Sequence, residues 1–536
     1  MIYTKKTPWT LILGIIMVGF AYLVIGGHME GLIKALHLSK FAGKLDAGWA
    51  GWGEMIRMPL ICGTIGIAAG LWQLLAKPKE GGLDYYLSTV GGVLFILMIA
   101  FVVKWGLDPL MAVWGKDAHD AMKAAKLVWA FDFAKVMNLN FVVMGIVAGI
   151  IVVNVFKIPG WAENGVRLSR LGLKTGVVLL GTLYSLQELR QLGGLSVVMI
   201  GFFVLGSVAL VLWMGRRRKI PNSMGGVLSA GLGVCGVSAA VAAAPVVNAK
   251  STEIAYTIGT VLLWGVMCMF LFPMIGHWLN MGPVQFGAWA GTGILNSAQV
   301  AGAALAFEPD GIDTLKVAEI FNITRVLFLP LIVLWLALWY VKAEQTGMKV
   351  NLGQVVFSKF PLFVLGFILM FALGSTGVFA PGASLPGKYF NNSEKHVGKK
   401  TLSDEDVAAL QADMDKIQSD KHKAALQQLT ENRKAMSFDH DTDLRDLANS
   451  RVMSKKSVKI LKKAHDAVYK GAPKIGMFRD LIAWFFTFGL VGLGMQITMA
   501  SIKQAGGQPA IIGSVVGTVK AVGALLVVLF LVHETI

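Results

Sequence analysis

Apolar stretches close to the length of a membrane-crossing helix recur along most of the chain. A helix that crosses a bilayer needs about 20 mostly apolar residues, and the pattern predicts about thirteen such helices. The stretches lack the short alternation of apolar and polar residues that marks membrane β-barrels. We therefore predict an all-α polytopic membrane protein. The predicted spans lie near residues 9–27, 58–76, 86–104, 140–156, 171–187, 195–214, 222–247, 254–277, 284–306, 317–341, 357–379, 481–501 and 509–532.

The interval between the eleventh and twelfth predicted spans is polar instead. From Pro386 to Lys474 the sequence is dense in Lys, Asp and Gln. Ser403 and Asp406 have the spacing of a capping box at a helix start, and two apolar runs with helical spacing follow. This pattern predicts a helical hairpin, for which a structural or oligomerising role is favoured over ligand binding. The two runs are Val407, Leu410, Met414 and Ile417, then Val458, Leu461 and Val468.

Basic residues collect at alternate ends of the predicted spans. Lys and Arg favour the cytoplasmic side of a membrane. The N-terminus is therefore predicted to be cytoplasmic, and the polar insertion at 386–475 is predicted to be extracytoplasmic. The net charge of +17 then reflects this bias and contact with anionic membrane lipid, and it requires no nucleic acid. With 55% hydrophobic and 15% charged residues, we predict an integral protein of a bacterial inner membrane. The basic clusters are Lys5 and Lys6, Lys77 and Lys79, Lys157 with Arg167 and Arg170, residues 216–219, Lys342 and Lys349, and Lys503.

The sequence lacks several motifs that are typical of enzymes and of ATP-driven pumps. It contains no Walker loop, dinucleotide fingerprint or HExxH motif. Cys62, Cys235 and Cys268 all fall within predicted spans, and no Cys/His pair has metal-ligand spacing. We therefore predict no catalysis, no metal and no cofactor.

Two pairs of segments resemble each other within the chain. GVVLLGTLYSLQELRQLGG (176–194) aligns with GLVGLGMQITMASIKQAGG (489–507), seven predicted spans later. An odd separation turns the second copy over in the membrane, as in transporters built from inverted repeats. AGLGVCGVSAAVAAA (230–244) also aligns with AGTGILNSAQVAGAA (290–304), two spans later. Chance similarity between Gly- and Ala-rich segments is the rival explanation, and one copy being re-entrant instead of spanning stays open.

The second pair carries glycine-rich helix breaks at predicted membrane depth. Irregular backbone is tolerated there only where protein or a watery cavity surrounds it. The free N–H groups and positive dipole at the start of a half-helix suit an anion. Close helix packing through small residues is the alternative, and Asn296 with Gln299 favours the polar pocket. The candidate binding residues are Gly231, Gly233, Cys235, Gly236 and Ser238 in the first break, and Gly291, Thr292, Gly293, Asn296, Ser297 and Gln299 in the second.

Two basic residues fall well inside predicted spans. A charge at bilayer depth is expensive and is a functional candidate. Arg325 in NITRVLFLP can pair with a sulphate, sulphonate or carboxylate through its planar fork, or it can snorkel to the outer interface. For Lys520, in the middle of the last span, we expect a local partner or a water-filled crevice.

At these motifs the chain resembles the YeiH-like sulphate exporter family. The stretches that carry the resemblance lie within 140–345 and 476–533, and they include SAGLGVCGVSAAVAAAPVV, AGTGILNSAQVAGA and NITRVLFLP. The resemblance implies a secondary transporter of the bile-acid/arsenite/riboflavin group, with panel and core domains, broken helices and elevator-like alternating access. It implies extra N-terminal spans over 1–130, a transporter core over 131–385 and 476–536, and an inserted polar part over 386–475.

The chain departs from the family at positions that matter for coupling. Leu295 and Asn296 stand where the family typically has a His-Glu pair, and Ala243 and Ala244 stand where it has Thr-Glu. Asn322 replaces a typical lysine. The candidate proton carriers of the family are therefore missing.

Three functional classes follow from these observations. The favoured one is a secondary active transporter of a small anion: sulphate, another sulphur-containing anion or an organic anion. The alternative is an anion channel or an anion-sensing receptor that uses the same pocket. A membrane-embedded enzyme would need a nucleophile or metal constellation that the sequence lacks. The expected partners are the anion and membrane lipid; a coupling ion (Na+ or H+) and a homodimer stay open.

Overall fold

A computed structural model describes most of the chain. The described residues are 7–29, 31, 53–75, 83–125, 140–184, 186–308, 313–344, 361–375, 382–384, 388–390, 402–433, 444, 447–448, 452–454, 456–461, 473–500 and 507–532.

These residues form helices almost throughout. The helices are α1 (Trp9–Ile25), α2 (Glu54–Leu75), α3 (Leu83–Phe101), α4 (Asp108–Ala124), α5 (Phe141–Ile151), α6 (Glu163–Leu180), α7 (Leu186–Arg217), α8 (Asn222–Gly233), α9 (Val237–Ala243), α10 (Ser251–Trp278), α11 (Pro283–Gly293), α12 (Ser297–Phe307), α13 (Asp313–Leu327), α14 (Leu329–Glu344), α15 (Leu362–Ser375), α16 (Asp404–Gln411), α17 (Asp420–Asn432), α18 (Pro473–Gly494) and α19 (Gly507–Leu531). Wider π turns follow α3 and α5, at Val102–Leu107 and Val152–Phe156.

Six helical segments of the described chain are long and apolar enough to cross a membrane. They are Met55–Leu75, Thr89–Met122, Gly193–Arg217, Ser251–Trp278, Asp313–Glu344 and Gly507–Leu531. Further apolar helices, such as α1 and α12, are shorter. The helical, polytopic class is confirmed, while the count of thirteen spans stays a prediction.

The chain divides into two compact units, and each unit is made of two separate stretches of the sequence. The first comprises residues 1–174 and 485–500, and the second comprises residues 175–484 and 501–536. The sequence-based boundaries at 130, 385 and 475 stay predictions.

Small residues allow close packing within the first unit. A Cβ added at Gly14 would lie 2.8 Å from the Gly63 carbonyl oxygen, so α1 and α2 approach each other through their backbones.

Asn154 donates to the Ile497 carbonyl (3.0 Å) and accepts from the Met499 N–H (2.7 Å). Gln496 donates to Val166 O (3.0 Å). Asn154 thus pairs backbone groups that follow α18, and Gln496 pairs a carbonyl of α6.

The second unit has an apolar core that includes an interruption between two helices. Val211, Leu228, Leu232, Val261, Leu295, Ile512 and Val516 are all buried in one cluster. These residues belong to α7, α8, α10 and α19, and Leu295 lies between α11 and α12. The interruption is therefore held in place by apolar packing as well as by polar contacts.

The first pair of similar segments has matching local structure. In 176–194, α6 ends at Leu180, a single 3-10 turn follows, and α7 begins at Leu186. In 489–507, α18 ends at Gly494 and helical residues resume at 499. The aligned positions of the two copies therefore share a helix, an interruption and a helical restart.

The polar insertion contains the predicted capping box but is divided into more elements than a hairpin. The Asp406 N–H donates to Ser403 Oγ (3.2 Å), and the Ser403 N–H donates to the Asp406 carboxylate (3.5 Å). The predicted continuation of this helix to Ile417 is wrong, because α16 ends at Gln411 and a 3-10 turn covers Met414–Lys416. Two short antiparallel strands, Gly382–Ser384 and Lys388–Phe390, pair at its start. Val468 lies outside the described residues.

Candidate functional site

Two interrupted helices in the second unit share one design. α8 ends at Gly233 and α9 begins at Val237, while α11 ends at Gly293 and α12 begins at Ser297. These ends fall on matched positions of the aligned stretches 230–244 and 290–304. In each, the first residue after the helix donates four residues back, Val234 to Ala230 O (3.0 Å) and Ile294 to Ala290 O (3.2 Å). The predicted breaks are therefore present in both copies.

The two interruptions touch each other. The Ser297 N–H donates to the Cys235 carbonyl at 3.4 Å. Gly236 has a φ of +83°, and a Cβ there would lie 3.0 Å from Asn296 Cα. A side chain at this position would be strained by its backbone angle and crowded by the other interruption. We call this meeting point, formed by residues 234–236 and 294–296, the crossing.

Lys520 of α19 lies at the end of α8. Its Nζ donates to the carbonyls of Leu232 (3.3 Å) and Gly233 (3.0 Å), and its side chain is buried. The last carbonyls of a helix have no intrahelical partner and carry partial negative charge. The expected local partner of Lys520 is therefore the backbone of the first interruption.

Arg325 near the end of α13 has the same relation to the second interruption. Its Nη1 donates to the Ile294 carbonyl, and its Nη2 donates to Ser297 Oγ (3.3 Å) and Asn322 Oδ1 (3.0 Å). The side chain is fully buried, so the alternative that it snorkels outward is wrong. Nε has no hydrogen-bond partner among the described residues.

Glu319 extends this network along α13. Its Oε2 accepts from Asn322 Nδ2 at 3.0 Å, and Asn322 Oδ1 in turn accepts from Arg325. Both Glu319 and Asn322 are buried. The order Glu319, Asn322, Arg325, Ser297 thus connects a buried carboxylate to the start of α12.

The first turn of α12 begins with two weakly paired N–H groups. The Ser297 and Ala298 N–H groups both donate at 3.4 Å, to Cys235 O and to Asn296 Oδ1. Bonds this long are weak compared with the usual 2.9–3.0 Å. Ser297 and Ala298 are also partly exposed, in contrast to the buried residues 291–296. These two N–H groups are therefore only weakly paired within the chain.

The structure places the predicted glycines mainly against neighbouring helices. A Cβ at Gly231 would lie 2.9 Å from Thr257 Cγ2, one at Gly233 2.7 Å from Val208 Cγ2, and one at Gly293 3.0 Å from Phe272 Cε2. At Gly291 it would lie 2.5 Å from Phe321 Cβ. Close packing thus accounts for these four positions, whereas Gly236 lies at the crossing.

The predicted polar residues lie in three different environments. Asn296 is the N-cap of α12, and Ser238 is exposed on α9. Gln299 is buried, donates to Leu262 O at 3.4 Å, and lies where a side chain at Gly265 would have to be. Thr292 is buried, and its Oγ1 has no hydrogen-bond partner in the described part of the chain.

Sequence reasoning missed two charged residues of α13. Lys316 and Glu319 are buried, with exposed fractions of 2% and 1%. Lys316 Nζ lies 5.2 Å from the Tyr184 ring centroid, and Tyr184 Oη donates to the Lys316 carbonyl. The predicted span began at 317, which put both residues at its margin, whereas α13 begins at Asp313. An acid six residues before Arg325 in an apolar helix was the available signal.

The family departures differ in their surroundings: Asn322 bonds to Glu319 and Arg325, and Asn296 caps α12. Leu295 belongs to the core cluster, and Ala243 and Ala244 are buried. Within the described residues no group of three or more His, Cys, Asp and Glu side chains is placed to hold a metal ion. The charged chemistry of the crossing is therefore that of Arg325, Lys520 and Glu319.

Comparison with known proteins identifies relatives that are membrane proteins. The profile of the family described as "Conserved hypothetical protein 698" matches residues 91–390, more than half of the chain. A UPF0324 membrane protein of Nitratidesulfovibrio vulgaris is 33% identical over 456 residues, which cover 84% of this chain and 97% of that relative. A second one from the same organism is 40% identical over 263 residues, 48% of this chain and 72% of the relative. A UPF0324 membrane protein of Bdellovibrio bacteriovorus is 31% identical over 263 residues, 48% of this chain and 75% of the relative.

The longest of these three matches extends well beyond the stretches 140–345 and 476–533, so that relative shares part of the additional sequence as well. No solved structure matches the chain. The apolar helices and these relatives agree that the protein is integral to a membrane. The chain belongs to the YeiH-like family of membrane proteins, the UPF0324 family.

Proposed function

We propose that this protein is a secondary active transporter of a small anion, which binds at the start of α12 beside Arg325. The observation that carries the proposal is the crossing of two interrupted helices with a buried cation at each. Interrupted helices that meet in the membrane are the common way in which secondary transporters build a substrate site. Elevator-type alternating access is the mechanism that the family resemblance favours.

The charge at the crossing favours an anion. Arg325 and Lys520 carry two positive charges when Lys520 is protonated, and Glu319 offsets one of them when it is ionised. Buried charges are tolerated when they are paired and hydrogen-bonded, and both cations are held by main-chain carbonyls. A bound anion would complete this compensation.

Arg325 acts mainly as a fixed charge and as a support for the interruption. Arginine has five N–H donors, and three of those of Arg325 are engaged with Ile294, Ser297 and Asn322. The free Nε–H and the remaining Nη1–H are left for a ligand. The anion would therefore take most of its hydrogen bonds from Ser297, the Ala298 N–H and this partly occupied guanidinium.

Calorimetric binding to purified protein tests the proposal through Arg325. Arg325→Ala removes the charge and leaves the Ile294 carbonyl without this partner, and hydrogen bonds to charged groups contribute about 1.5–3 kcal/mol. We expect the affinity for sulphate, or for whichever sulphonate or carboxylate binds best, to fall by about 10- to 100-fold. Arg325→Lys should lose less, because it keeps the charge but not the fork.

The matched control is Arg216→Ala at the exposed last turn of α7, where the guanidinium lies 5.8 Å from the Trp339 ring. It should bind the anion like the wild type. Equal affinity in wild type and a folded Arg325→Ala protein would show that the anion binds elsewhere. An anion-sensing receptor would show the same binding without transport, so flux must be measured as well.

A further inference from the structure

Glu319 is buried deeply and is incompletely hydrogen-bonded. Its exposed fraction is 1%, and its Oε1 has no hydrogen-bond partner among the described residues. Its other oxygen, Oε2, accepts from Asn322 at 3.0 Å. Buried polar groups are nearly always paired, so an unpaired carboxyl oxygen at this depth requires an explanation.

The amide of Asn322 transmits the state of Glu319 to Arg325. A guanidinium can only donate and an ionised carboxylate can only accept. The amide therefore directs Oδ1 toward Arg325 and Nδ2 toward Glu319, as the two 3.0 Å bonds show. Glu319 and Arg325 are thus the two ends of one polarised chain.

We propose that Glu319 binds a proton together with the anion, so that the protein carries both across the membrane in the same direction. This inference rests on the transport function proposed above. The unpaired Oε1 is the atom that takes the proton. Protonation removes the negative charge that faces Arg325 through Asn322, and the crossing then holds the two positive charges of Arg325 and Lys520.

Anion and proton binding must therefore favour each other. If a proton on Glu319 strengthens anion binding, a bound anion strengthens proton binding by the same factor. The neutral carboxyl also places no negative charge beside the incoming anion. Translocation with both ligands, or with neither, is then the favoured cycle.

Several other charged or titratable groups lie on the elements packed against α13. α11 and α12 contain no titratable residue. Among all of these groups, Glu319 is the acid that shares a hydrogen-bonded residue with Arg325. The others are Asp313 and Lys316 on α13 itself, Glu308 bonded to Thr314, Tyr184 beside Lys316, Glu188, Arg190, Arg216 and Arg217 on α7, Cys235 at the crossing, and Tyr340, Lys342 and Glu344 toward the end of α14.

A proton fits this position better than a sodium ion does. Hard metal cations need several oxygen ligands arranged around them. Asn322 presents its N–H side to Glu319, and its oxygen already accepts from Arg325, so the amide supplies no oxygen ligand for a metal ion beside Glu319. A proton needs one oxygen, which Oε1 provides.

The test is the pH dependence of sulphate binding by the full-length protein in lipid nanodiscs, with proton uptake measured in the same titrations. For the wild type we expect the dissociation constant to rise by up to tenfold per pH unit as Glu319 loses its proton, with up to one proton taken up per sulphate bound. Glu319→Gln mimics the neutral carboxyl. At every pH tested, this variant should bind sulphate as tightly as the wild type does at acidic pH. Its sulphate binding should take up no proton.

Two further variants make the result specific. Glu253→Gln changes another buried glutamate of the second unit, whose oxygens accept from Ser223 (3.1 Å) and from the Lys250 N–H (2.9 Å). It should keep the wild-type pH dependence. Asn322→Leu removes the donor that stabilises ionised Glu319. The dissociation constant of sulphate for this variant should therefore begin to rise only at a higher pH than in the wild type.

Unchanged pH dependence and proton uptake in Glu319→Gln would overturn the inference and leave the anion-transport proposal standing. The same holds if Asn322→Leu binds sulphate with the wild-type pH profile. Wild-type protein that binds neither sulphate nor any sulphonate or carboxylate at any pH would remove the transport proposal itself, and this inference with it.

Discussion

At the scale of single residues, the crossing depends on cations that neutralise helix ends. Lys520 reaches the last carbonyls of α8, and Arg325 reaches the Ile294 carbonyl just after α11. Because helix C-termini carry partial negative charge, each cation stabilises an interruption that would otherwise leave buried carbonyls unpaired. Arg325 also donates to Ser297 at the start of α12, where the proposed anion would bind.

Gly236 offers a direct test of the geometry of the crossing. Its backbone angles, φ +83° and ψ −124°, suit glycine, and an added Cβ would lie 2.9 Å from Val261 Cγ1. We expect Gly236→Ala to lower the free energy of unfolding by about 1–3 kcal/mol. Thermal melting of the purified protein measures the effect.

Gly206→Ala is the matched control, because a Cβ at this position of α7 meets no atom within 4 Å. It should match or slightly exceed the wild type in stability, since alanine is the better helix former. If Gly236→Ala melts like Gly206→Ala, the chain does not need its unusual backbone angles at the crossing.

The glycine-rich breaks could be predicted from the sequence, but the role of each glycine could not. A break needs only local chain freedom, which the residues 231–236 display. Whether a glycine faces a ligand or another helix depends on distant residues such as Val208 and Thr257. For the same reason Lys520 could be identified as costly, while its partners, almost 300 residues earlier in the chain, could not.

At the scale of secondary-structure elements, a proline and a buried carboxylate mark two places where helices end. Phe328 separates α13 from α14, shortly before Pro330, which has no N–H to continue the helical hydrogen bonds. In the polar insertion, Asp413 follows the end of α16 and joins two parts of the chain. Its carboxylate accepts from Lys416 Nζ (2.7 Å), the Ser454 N–H (2.8 Å) and Ser457 Oγ (2.6 Å). The apolar periodicity predicted a longer helix, because a local pattern contains no information about hydrogen bonds to residues far along the chain.

Asp413 makes the insertion sensitive to acid. Burial alone raises the pKa of this carboxyl, but the hydrogen bonds from Lys416, Ser457 and Ser454 outweigh it and hold the pKa well below its usual range. Because the folded-state pKa is lowered, the stabilisation is complete above the unfolded value of about 3.9. It is lost as pH falls from there through the folded pKa.

Asp413→Asn should remove most of this stabilisation at neutral pH, about 1–3 kcal/mol. Hydrogen exchange of the insertion in the full-length protein measures it, as faster exchange at residues 404–432. Asp415→Asn, two residues later at an exposed position, is the control and should exchange like the wild type. Slow exchange in Asp413→Asn would mean that the apolar residues of the insertion hold it without this carboxylate.

At the scale of the whole molecule, the proposed function is a saturable, reversible cycle that carries a small anion across a membrane. Each of the two units contains an interruption from one copy of the 176–194 and 489–507 repeat, and the second unit also contains the crossing. Sequence patterns predicted the helical class, the repeats and the family. In the proposed function the identity of the anion would depend on the arrangement of a few donors around Ser297 and Arg325, which the sequence patterns did not predict.

Solute counterflow tests this claim most directly. Purified protein in liposomes preloaded with unlabelled sulphate is diluted into a trace of radiolabelled sulphate, with the sulphonate or carboxylate that binds best tested in the same way. A carrier exchanges internal for external anion, so we predict that the label accumulates transiently above its equilibrium level and that Arg325→Ala abolishes this overshoot. Label that enters wild-type liposomes without an overshoot would indicate a channel, and label that enters no faster than in protein-free liposomes would contradict transport altogether.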